Sequence, residues 1–243
     1  MTRLSVNVNK VATLRNSRGG RMPSVIDAVR VCVQAAVPGI TVHPRADQRH
    51  ITPADVDEIA ALLRRHPAVE YNIEGDPRPD LVAMVQTVRP HQCTLVPVVP
   101  GEITSQAGWR PGPQTAGLPR IVSDLKGLGI RVSLFIDPEL DAVRFAASLG
   151  ADRVELYTEP FARAFEHGPE AARVSLARYE AAAELSAALG MRVNAGHDLD
   201  LENLQLFRTL PHLAEVSIGH ALMSRALFVG LSTAVREYLA VLL

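Results

Sequence analysis

Short apolar runs alternate with longer helical patterns along the whole chain. Eight runs are rich in β-branched and apolar residues, and each is followed by a segment whose apolar positions recur every three to four residues. The strand-like runs are 4–9, 39–43, 69–74, 93–97, 131–137, 153–158, 192–196 and 215–219. Eight strand–helix units, spaced about 30 residues apart, predict an α/β protein with the (β/α)8 architecture of a TIM barrel.

Helix start signals support this order of elements. Thr52 precedes Pro53 and stands three residues before Asp55, which is the pattern of a capping box at the first turn of a helix. Asp137 stands directly before Pro138 at the end of the fifth run, and we expect it to cap the next helix. Two connections are longer than a link requires. Residues 98–115 are rich in Gly and Pro and predict a mobile lid, and residues 157–172 predict an extra short helix.

An open, doubly wound sheet is the structural alternative. That fold would place a G-x-G-x-x-G phosphate loop after the first strand, where this chain has "LRNSRGGRM". No linker and no shift in composition divides the chain, so we expect residues 1–243 to form a single domain.

Composition excludes several classes of protein. The net charge of −1 gives no reason to expect nucleic acid or an anionic membrane as a partner. Cys32 and Cys93 are too isolated for a disulfide framework or a zinc site. The opening "MTRLSVNVNK" has no signal-peptide pattern, and no apolar run reaches the roughly 18 residues of a membrane span. We therefore expect a cytoplasmic protein.

Polar residues at the ends of the strands carry the candidate chemistry. In a barrel these ends surround the active site. They hold Asn7, Asn9, His43, Glu74, Asp137, Glu155, His197 and His220, with Thr104 in a following loop. A single histidine at a strand end is more often structural, and Glu155 could instead be the partner of an inward arginine. However, His43, Glu74 and His197 come from three strands and would meet in one cavity, which favours proton transfer. The remaining histidines, His66, His91, His167 and His212, are expected on the surface.

Two features favour phosphate binding. Gly196 and Gly219 follow the seventh and eighth strands, and we expect both to lie beside helix starts, where free backbone N–H groups bind phosphate. Arg45 and His50 offer a second anion site across the barrel mouth. Two sites predict two phosphorylated substrates, or one substrate with two phosphates.

Seven motifs are spread in order along nearly the whole chain: "VATLRNSRGG", "GITVHPRADQRHIT", "NIEG", "TLVP", "VSLFID", "VNAGHDL" and "IGHALMSRA". Together they resemble the motifs of the pyridoxine 5′-phosphate synthase family of the deoxyxylulose-dependent vitamin B6 pathway. The resemblance implies a ring-closing transferase that condenses 1-deoxy-D-xylulose 5-phosphate with 3-amino-2-oxopropyl phosphate and releases phosphate and water. It also implies that the enzyme needs no metal or organic cofactor and forms a homo-octamer built from dimers.

The resemblance further implies a role for each matching residue. His43 and Glu74 are then general bases, His197 a proton donor, and Glu155 a group that stabilises a cationic intermediate. The residues that would hold the amino-ketone phosphate are Asn7, Arg18, Asp198, Gly219 and His220, and those that would hold the sugar phosphate are Arg45, His50 and Thr104. The commoner first-strand motif, N-x-D-H, reads "NVNK" here. Asn9 and Lys10 therefore stand where Asp and His contact the sugar phosphate, and this makes substrate contact at these two positions less secure.

Three other functions remain open. A Schiff-base aldolase would use a lysine nucleophile, and Lys10 is the only plausible one, although strand alternation places it with Val6 and Val8 on the helix-facing side. A metal-dependent hydrolase would use His43, Glu74, His197 and His220 as ligands. No H-x-H or H-E-x-x-H spacing supports a metal site, so we expect none. The third alternative is a non-catalytic barrel that binds phosphorylated metabolites.

Overall fold

The structure is a computed structural model that describes residues 1–98 and 107–243. Eight parallel strands pair in chain order, and β8 pairs with β1, so the sheet closes into a barrel. The strands are β1 (Arg3–Asn7), β2 (Gly39–Val42), β3 (Glu70–Gly75), β4 (Gln92–Leu95), β5 (Arg131–Ile136), β6 (Arg153–Tyr157), β7 (Arg192–Gly196) and β8 (Leu213–Ile218). The predicted TIM barrel is confirmed.

Helices surround the barrel. The described residues contain more helices than strands, so some connections hold more than one helix. They are α1 (Asn9–Asn16), α2 (Val25–Gln34), α3 (Pro53–Leu63), α4 (Pro79–Val88), α5 (Leu118–Gly127), α6 (Leu140–Ser148), α7 (Glu159–Glu166), α8 (Pro169–Ala188), α9 (Leu204–Phe207), α10 (His220–Val229) and α11 (Leu231–Val241), with a short 3-10 helix at Pro113–Thr115. The extra helix predicted after the sixth strand is α7. The terminal helical pattern divides into α10 and α11 at Gly230, whose φ of 83° a helix cannot accommodate.

The two predicted helix caps have different outcomes. Thr52 and Asp55 form the capping box, since each side chain accepts the backbone N–H of the other residue. The prediction for Asp137 is wrong, because α6 begins only at Leu140. The chain first turns, with the Glu139 N–H donating to the Asp137 carbonyl at 2.7 Å. The Asp137 carboxylate instead pairs with Arg110 at 3.0 Å.

The first strand is shorter than its alternating pattern predicts. β1 ends at Asn7, and Val8 leaves the extended region, with φ −92° and ψ 9°. Helix α1 then begins at Asn9. The alternation argument that placed Lys10 on the helix-facing side is therefore wrong, because Lys10 is in a helix rather than a strand. The first turn of α1 brings Asn9 and Lys10 to the barrel mouth.

Apolar strand residues face the helices and form the core, as the alternation predicts. Leu4, Val6, Ile40 and Val42, for example, are fully buried in one cluster. The opposite faces of the strands, which point into the barrel, carry polar residues deeper inside than the sequence predicts. Ser5, Thr41, Asn72 and Thr94 are buried inside the barrel, where their side chains bond to one another, rather than lining only its mouth.

Ion pairs lie at the opposite end of the barrel interior from the cavity. The Glu70 carboxylate pairs with Arg3 at 2.9 Å and also with Arg131, so one side chain links β1, β3 and β5. Arg153 lies 3.7 Å from Glu215. The inward arginine considered as a partner for Glu155 therefore pairs with a different glutamate.

Candidate active site

The carboxyl ends of the strands surround a cavity of about 500 Å³. Among the described residues, those that the resemblance assigned to the site all line it except Arg18. The lining includes Asn7, Asn9, Lys10, His43, Arg45, His50, Glu74, Glu155, His197, Asp198, Gly219 and His220. Strand ends that are far apart in the sequence thus deliver acids, bases and cations to one place, as parallel strands in a barrel must.

Some predicted features lie elsewhere. Arg18 is exposed in the turn after α1 and is outside the cavity lining. Thr104 belongs to residues 99–106 of the predicted lid, which lie outside the described residues. Gly219 directly precedes α10, as predicted, but Gly196 does not adjoin a helix start, because α9 begins only at Leu204. The four histidines predicted to be surface residues are all exposed: His66, His91, His167 and His212.

His43 and His50 form the first part of the site. Their rings meet edge to face, with centroids 6.1 Å apart. Burial, reinforced by His50 and Arg45, lowers the pKa of His43 to about 3, and burial together with Arg45 and Lys10 lowers that of His50 to about 4. Both rings are therefore neutral near pH 7. Within the described chain the buried Nε2 of His43 has no hydrogen-bond partner, which leaves it available to a ligand in the cavity.

The protonation of His50 follows from its hydrogen bond. Its Nδ1 accepts the backbone N–H of Ile51 at 3.0 Å. A neutral ring with Nδ1 as acceptor carries its hydrogen on Nε2. His50 therefore presents an N–H donor beside Lys10 and Arg45, and together they make this side of the mouth suited to an anion.

Glu74 and Glu155 are a pair of buried carboxyl groups. Burial and the nearby Glu155 raise the pKa of Glu74 well above its usual value, while burial and Glu215 raise that of Glu155 to about 8. Ser217 and Asn72 each donate a hydrogen bond of 3.4 Å to Oε1 of Glu74. Two such buried groups in one site favour holding a proton between them at neutral pH, which is the property that acid–base chemistry needs.

Gly196 makes room for one of these carboxyl groups. A Cβ atom at this position would lie 2.5 Å from Oε1 of Glu155, closer than unbonded atoms approach. Position 196 must therefore be a glycine if Glu155 is to keep its place.

His197 and Asp198 follow Gly196 in a turn where both residues have positive φ, 88° and 59°. Nδ1 of His197 lies 3.3 Å from the Asp198 carboxylate, and Arg163 lies 3.3 Å from the same oxygen. His197 and then Arg163 hold the pKa of Asp198 below its usual value. Asp198 is therefore ionised and stays beside the imidazole.

Other residues of the cavity were not predicted. Ser217 could have been found, since strand alternation places it with Gly219 on the inward face of β8. Val96 and Phe135 form an apolar part of the wall and are packed with Tyr157. Their side chains give no chemical signal in the sequence. Thr13 and Arg49 also line the mouth.

Residues 4–243 match the family described as "Pyridoxal phosphate biosynthesis protein PdxJ". The chain belongs to the PdxJ family. Curated relatives agree with this. The chain is 48% identical over 239 residues to pyridoxine 5′-phosphate synthase of Bacteroides fragilis, covering 98% of both proteins. It is also 48% identical over 253 residues to the protein of that name from Leptospira biflexa, covering 100% of this chain and 97% of the relative. This PdxJ family member is therefore an enzyme.

Solved structures with much lower identity share the fold. Thiamine phosphate pyrophosphorylase from Pyrococcus furiosus superposes with a TM-score of 0.63 at 12% identity, covering 99% of this chain and 95% of that one. The 3-hexulose-6-phosphate synthase of Salmonella typhimurium gives 0.64 at 14% identity, covering 99% and 98%. At this identity the likeness supports the barrel of the PdxJ family member and no more.

The metal-dependent alternative can be examined in the described part of the PdxJ chain. Within residues 1–98 and 107–243, no three His, Cys, Asp or Glu side chains are grouped so that they could hold a metal ion. His43, Glu74, His197 and His220 thus line one cavity without forming the ligand cluster of the hydrolase alternative. Among the described helices, none has the length and apolar character needed to span a membrane.

Proposed function

We propose that this enzyme is a pyridoxine 5′-phosphate synthase. It condenses 1-deoxy-D-xylulose 5-phosphate with 3-amino-2-oxopropyl phosphate, closes the pyridine ring and releases phosphate and water. One observation carries the proposal: the buried Glu74 and Glu155 carboxyls share a cavity with the neutral imidazole of His43. Closing an aromatic ring from two carbonyl compounds requires repeated proton transfers, and this set can both take up and return protons.

Each acid or base has a role that its surroundings support. Nε2 of His43, which has no partner among the described residues, accepts a proton from substrate, because the lowered pKa of His43 keeps the ring neutral at pH 7. Glu74 is a stronger base than an exposed carboxylate once it ionises, since its pKa is raised. Glu155, in its ionised form, stabilises positive charge that develops on the amine-derived nitrogen, and that charge in turn lowers the pKa of the carboxyl group. His197 donates a proton to a departing oxygen, with Asp198 beside its ring.

Two sets of lining residues suit two phosphate groups. Lys10, Arg45 and His50 present cations and an N–H donor. Gly219 and His220 begin α10, whose first backbone N–H groups lie at the positive end of the helix dipole. Asn7 and Asp198 line the same cavity and complete the set proposed to hold the amino-ketone phosphate. Arg18 and Thr104 stay predicted contacts for the two phosphates.

We also propose that the enzyme works in the cytoplasm without metal or organic cofactor, as a homo-octamer of one-domain chains built from dimers. The family's substrates and the relatives' name support the reaction. One observation supports the alternative of a Schiff-base aldolase, which is that Lys10 lines the cavity. Lysine is the usual nucleophile of such enzymes.

The direct test is to incubate the protein with both substrates after exhaustive chelation. We expect pyridoxine 5′-phosphate and inorganic phosphate to form together, with omission of either substrate as the control. Light scattering gives the oligomeric state in the same buffer. If no pyridoxine 5′-phosphate forms, or if it forms only after a metal is restored, the proposed reaction or its metal independence is wrong.

A further inference from the structure

The turn that carries His197 is held in an unfavourable backbone conformation. His197 and Asp198 both have positive φ, a region that residues other than glycine seldom adopt. Such a conformation persists only where the surroundings enforce it. The groups that enforce it here therefore determine where the His197 imidazole points.

Thr158 supplies the main restraint. Its hydroxyl is fully buried and lies 2.7 Å from the Gly196 carbonyl and also within hydrogen-bond distance of the His197 carbonyl. Thr158 stands at the N-cap of α7, where a threonine usually accepts a backbone N–H of its own helix. No capping bond of this kind is present in α7, all of which is described, and the hydroxyl points instead to the chain after β7.

The two carbonyls do not depend equally on this hydroxyl. The Gly196 carbonyl also accepts the Thr158 backbone N–H at 3.0 Å, so it keeps a partner without the side chain. The hydroxyl thus acts chiefly on the carbonyl of His197, the residue whose imidazole lines the cavity. Asn203 provides a matching restraint one residue later, since Nδ2 donates to the Asp198 carbonyl at 3.0 Å.

Tyr157, the neighbour of Thr158, restrains the ring itself. Its ring meets the His197 imidazole edge to face, with centroids 5.0 Å apart. The backbone carbonyl of Tyr157 in turn accepts the buried hydroxyl of Tyr179 at 2.7 Å. Tyr157 and Thr158, at the end of β6, therefore hold both the ring and the backbone of the residue that directly follows β7.

We propose that Thr158 is a positioning residue whose hydroxyl keeps the His197 imidazole directed into the cavity. It acts through His197 and touches no substrate. Its catalytic consequence rests on the proposed function, in which His197 donates a proton. Its structural consequence, the orientation of the ring, does not depend on that function.

Substitutions at Thr158 separate positioning from simple packing. Thr158→Val keeps the shape of the side chain and removes the donor, whereas Thr158→Ser keeps the donor and removes a methyl group. We expect Thr158→Val to lower kcat at least about tenfold with KM nearly unchanged, because a misdirected catalytic group loses rate rather than binding. We expect Thr158→Ser to retain most of kcat. Thr87→Val is the matched control, since Thr87 bonds a helix carbonyl at 2.8 Å on the exposed face of α4.

The second measurement is the NMR spectrum of the His197 imidazole in the ligand-free protein. We expect its ring resonances to shift in Thr158→Val and to match the unsubstituted protein in Thr158→Ser. If the unsubstituted protein makes no product, the proposed function fails, yet these spectra still decide whether Thr158 orients the ring. Unchanged His197 resonances in Thr158→Val would overturn the proposal. Equal losses of kcat and thermal stability in the Val and Ser variants would also overturn it.

Discussion

The side-chain oxygen of Asn9 accepts the backbone N–H of His43 at 2.9 Å. This bond ties the first turn of α1 to the chain directly after β2. Asn9 donates its own backbone N–H to the side chain of Asn7 at 3.0 Å, so three residues of the mouth are linked. The resemblance implied substrate contact at Asn9. Its side-chain oxygen instead accepts a backbone N–H, and either Asn or Asp could supply such an oxygen.

This bond predicts different outcomes for two substitutions at Asn9. Asn9→Asp keeps an oxygen acceptor and should retain most of the turnover. Asn9→Leu leaves the His43 N–H without its partner and should destabilise the protein by about 1–3 kcal/mol, with a loss of turnover as His43 moves. Urea denaturation and steady-state kinetics measure the two effects. Equal behaviour of both variants would show that the bond is unimportant.

Glu74→Gln should lower turnover by about 10²-fold or more, because it removes the charge that accepts a proton. It should not lower stability at pH 8. The raised pKa of Glu74 means that ionisation favours the unfolded chain above the unfolded pKa, and the neutral amide avoids this penalty. Kinetics and urea denaturation test both parts. Glu180→Gln, on the exposed face of α8, is the control. A variant with normal turnover would exclude Glu74 as a base.

Glu155 predicts a pH dependence of stability with a definite sign. Its pKa rises from 4.5 to about 8 on folding, so between these values the folded chain binds more protons than the unfolded one. The stabilisation that protonated Glu155 gives to the folded state is therefore lost as pH rises from 4.5 to about 8. The unfolding free energy of the unsubstituted protein, minus that of Glu155→Gln, should fall from pH 4.5 to pH 8. A difference that does not change with pH would contradict the assignment.

The lowered pKa of His50 predicts a change of stability with pH that has the opposite sign. Its pKa falls from 6.5 to about 4, so its contribution to stability is complete above pH 6.5 and is lost as pH falls toward 4. His50→Gln should remove part of this acid sensitivity. Inorganic phosphate should raise the pKa of His50 by favouring its charged form, which NMR titration of the ring detects. An unaltered titration with phosphate would argue against an anion site here.

Lys10 distinguishes the proposed synthase from an aldolase. In the synthase the imine forms with the amine of the substrate, so the lysine is an electrostatic contact. Borohydride reduction with deoxyxylulose phosphate should leave the protein mass unchanged, and Lys10→Arg should keep substantial turnover because the positive charge remains. Mass spectrometry measures the protein mass after reduction, and steady-state kinetics measure the turnover of the variant. A reduced adduct mapped to Lys10 would favour the aldolase.

The barrel and the centre of the site could be predicted because both follow from regular patterns. His43, Glu74 and His197 close three strands, and parallel strands of one barrel end at the same rim. The early end of β1 could not be predicted, since polar and apolar residues go on alternating through Asn9. The sequence "Asp-Pro" at Asp137 suits both a helix cap and a turn, and the choice depends on a pairing with Arg110, 27 residues earlier in the chain.

The half-buried ion pairs of Glu70 could not be predicted from the sequence for a related reason. Arg3, Glu70 and Arg131 each stand at the start of a strand, where a charged residue usually indicates exposure. The partners are separated by 61 and 67 positions. Only the closure of the sheet brings them together, so the charges could not be paired before the topology was known.

The position of Glu70 has a consequence for the order of assembly. Its two partners lie on strands synthesised before and after it, and the second, Arg131, reaches the ribosome exit only after β4 and α5. A nascent chain ending at β4 already contains Arg3, whose single positive charge balances that of Glu70, but it lacks the second arginine that holds this carboxylate. The link from β3 to β5 through Glu70 forms only after Arg131 has been synthesised. A fragment that ends before Arg131 therefore keeps one of the two contacts of this carboxylate, and the second forms only as the sheet is completed.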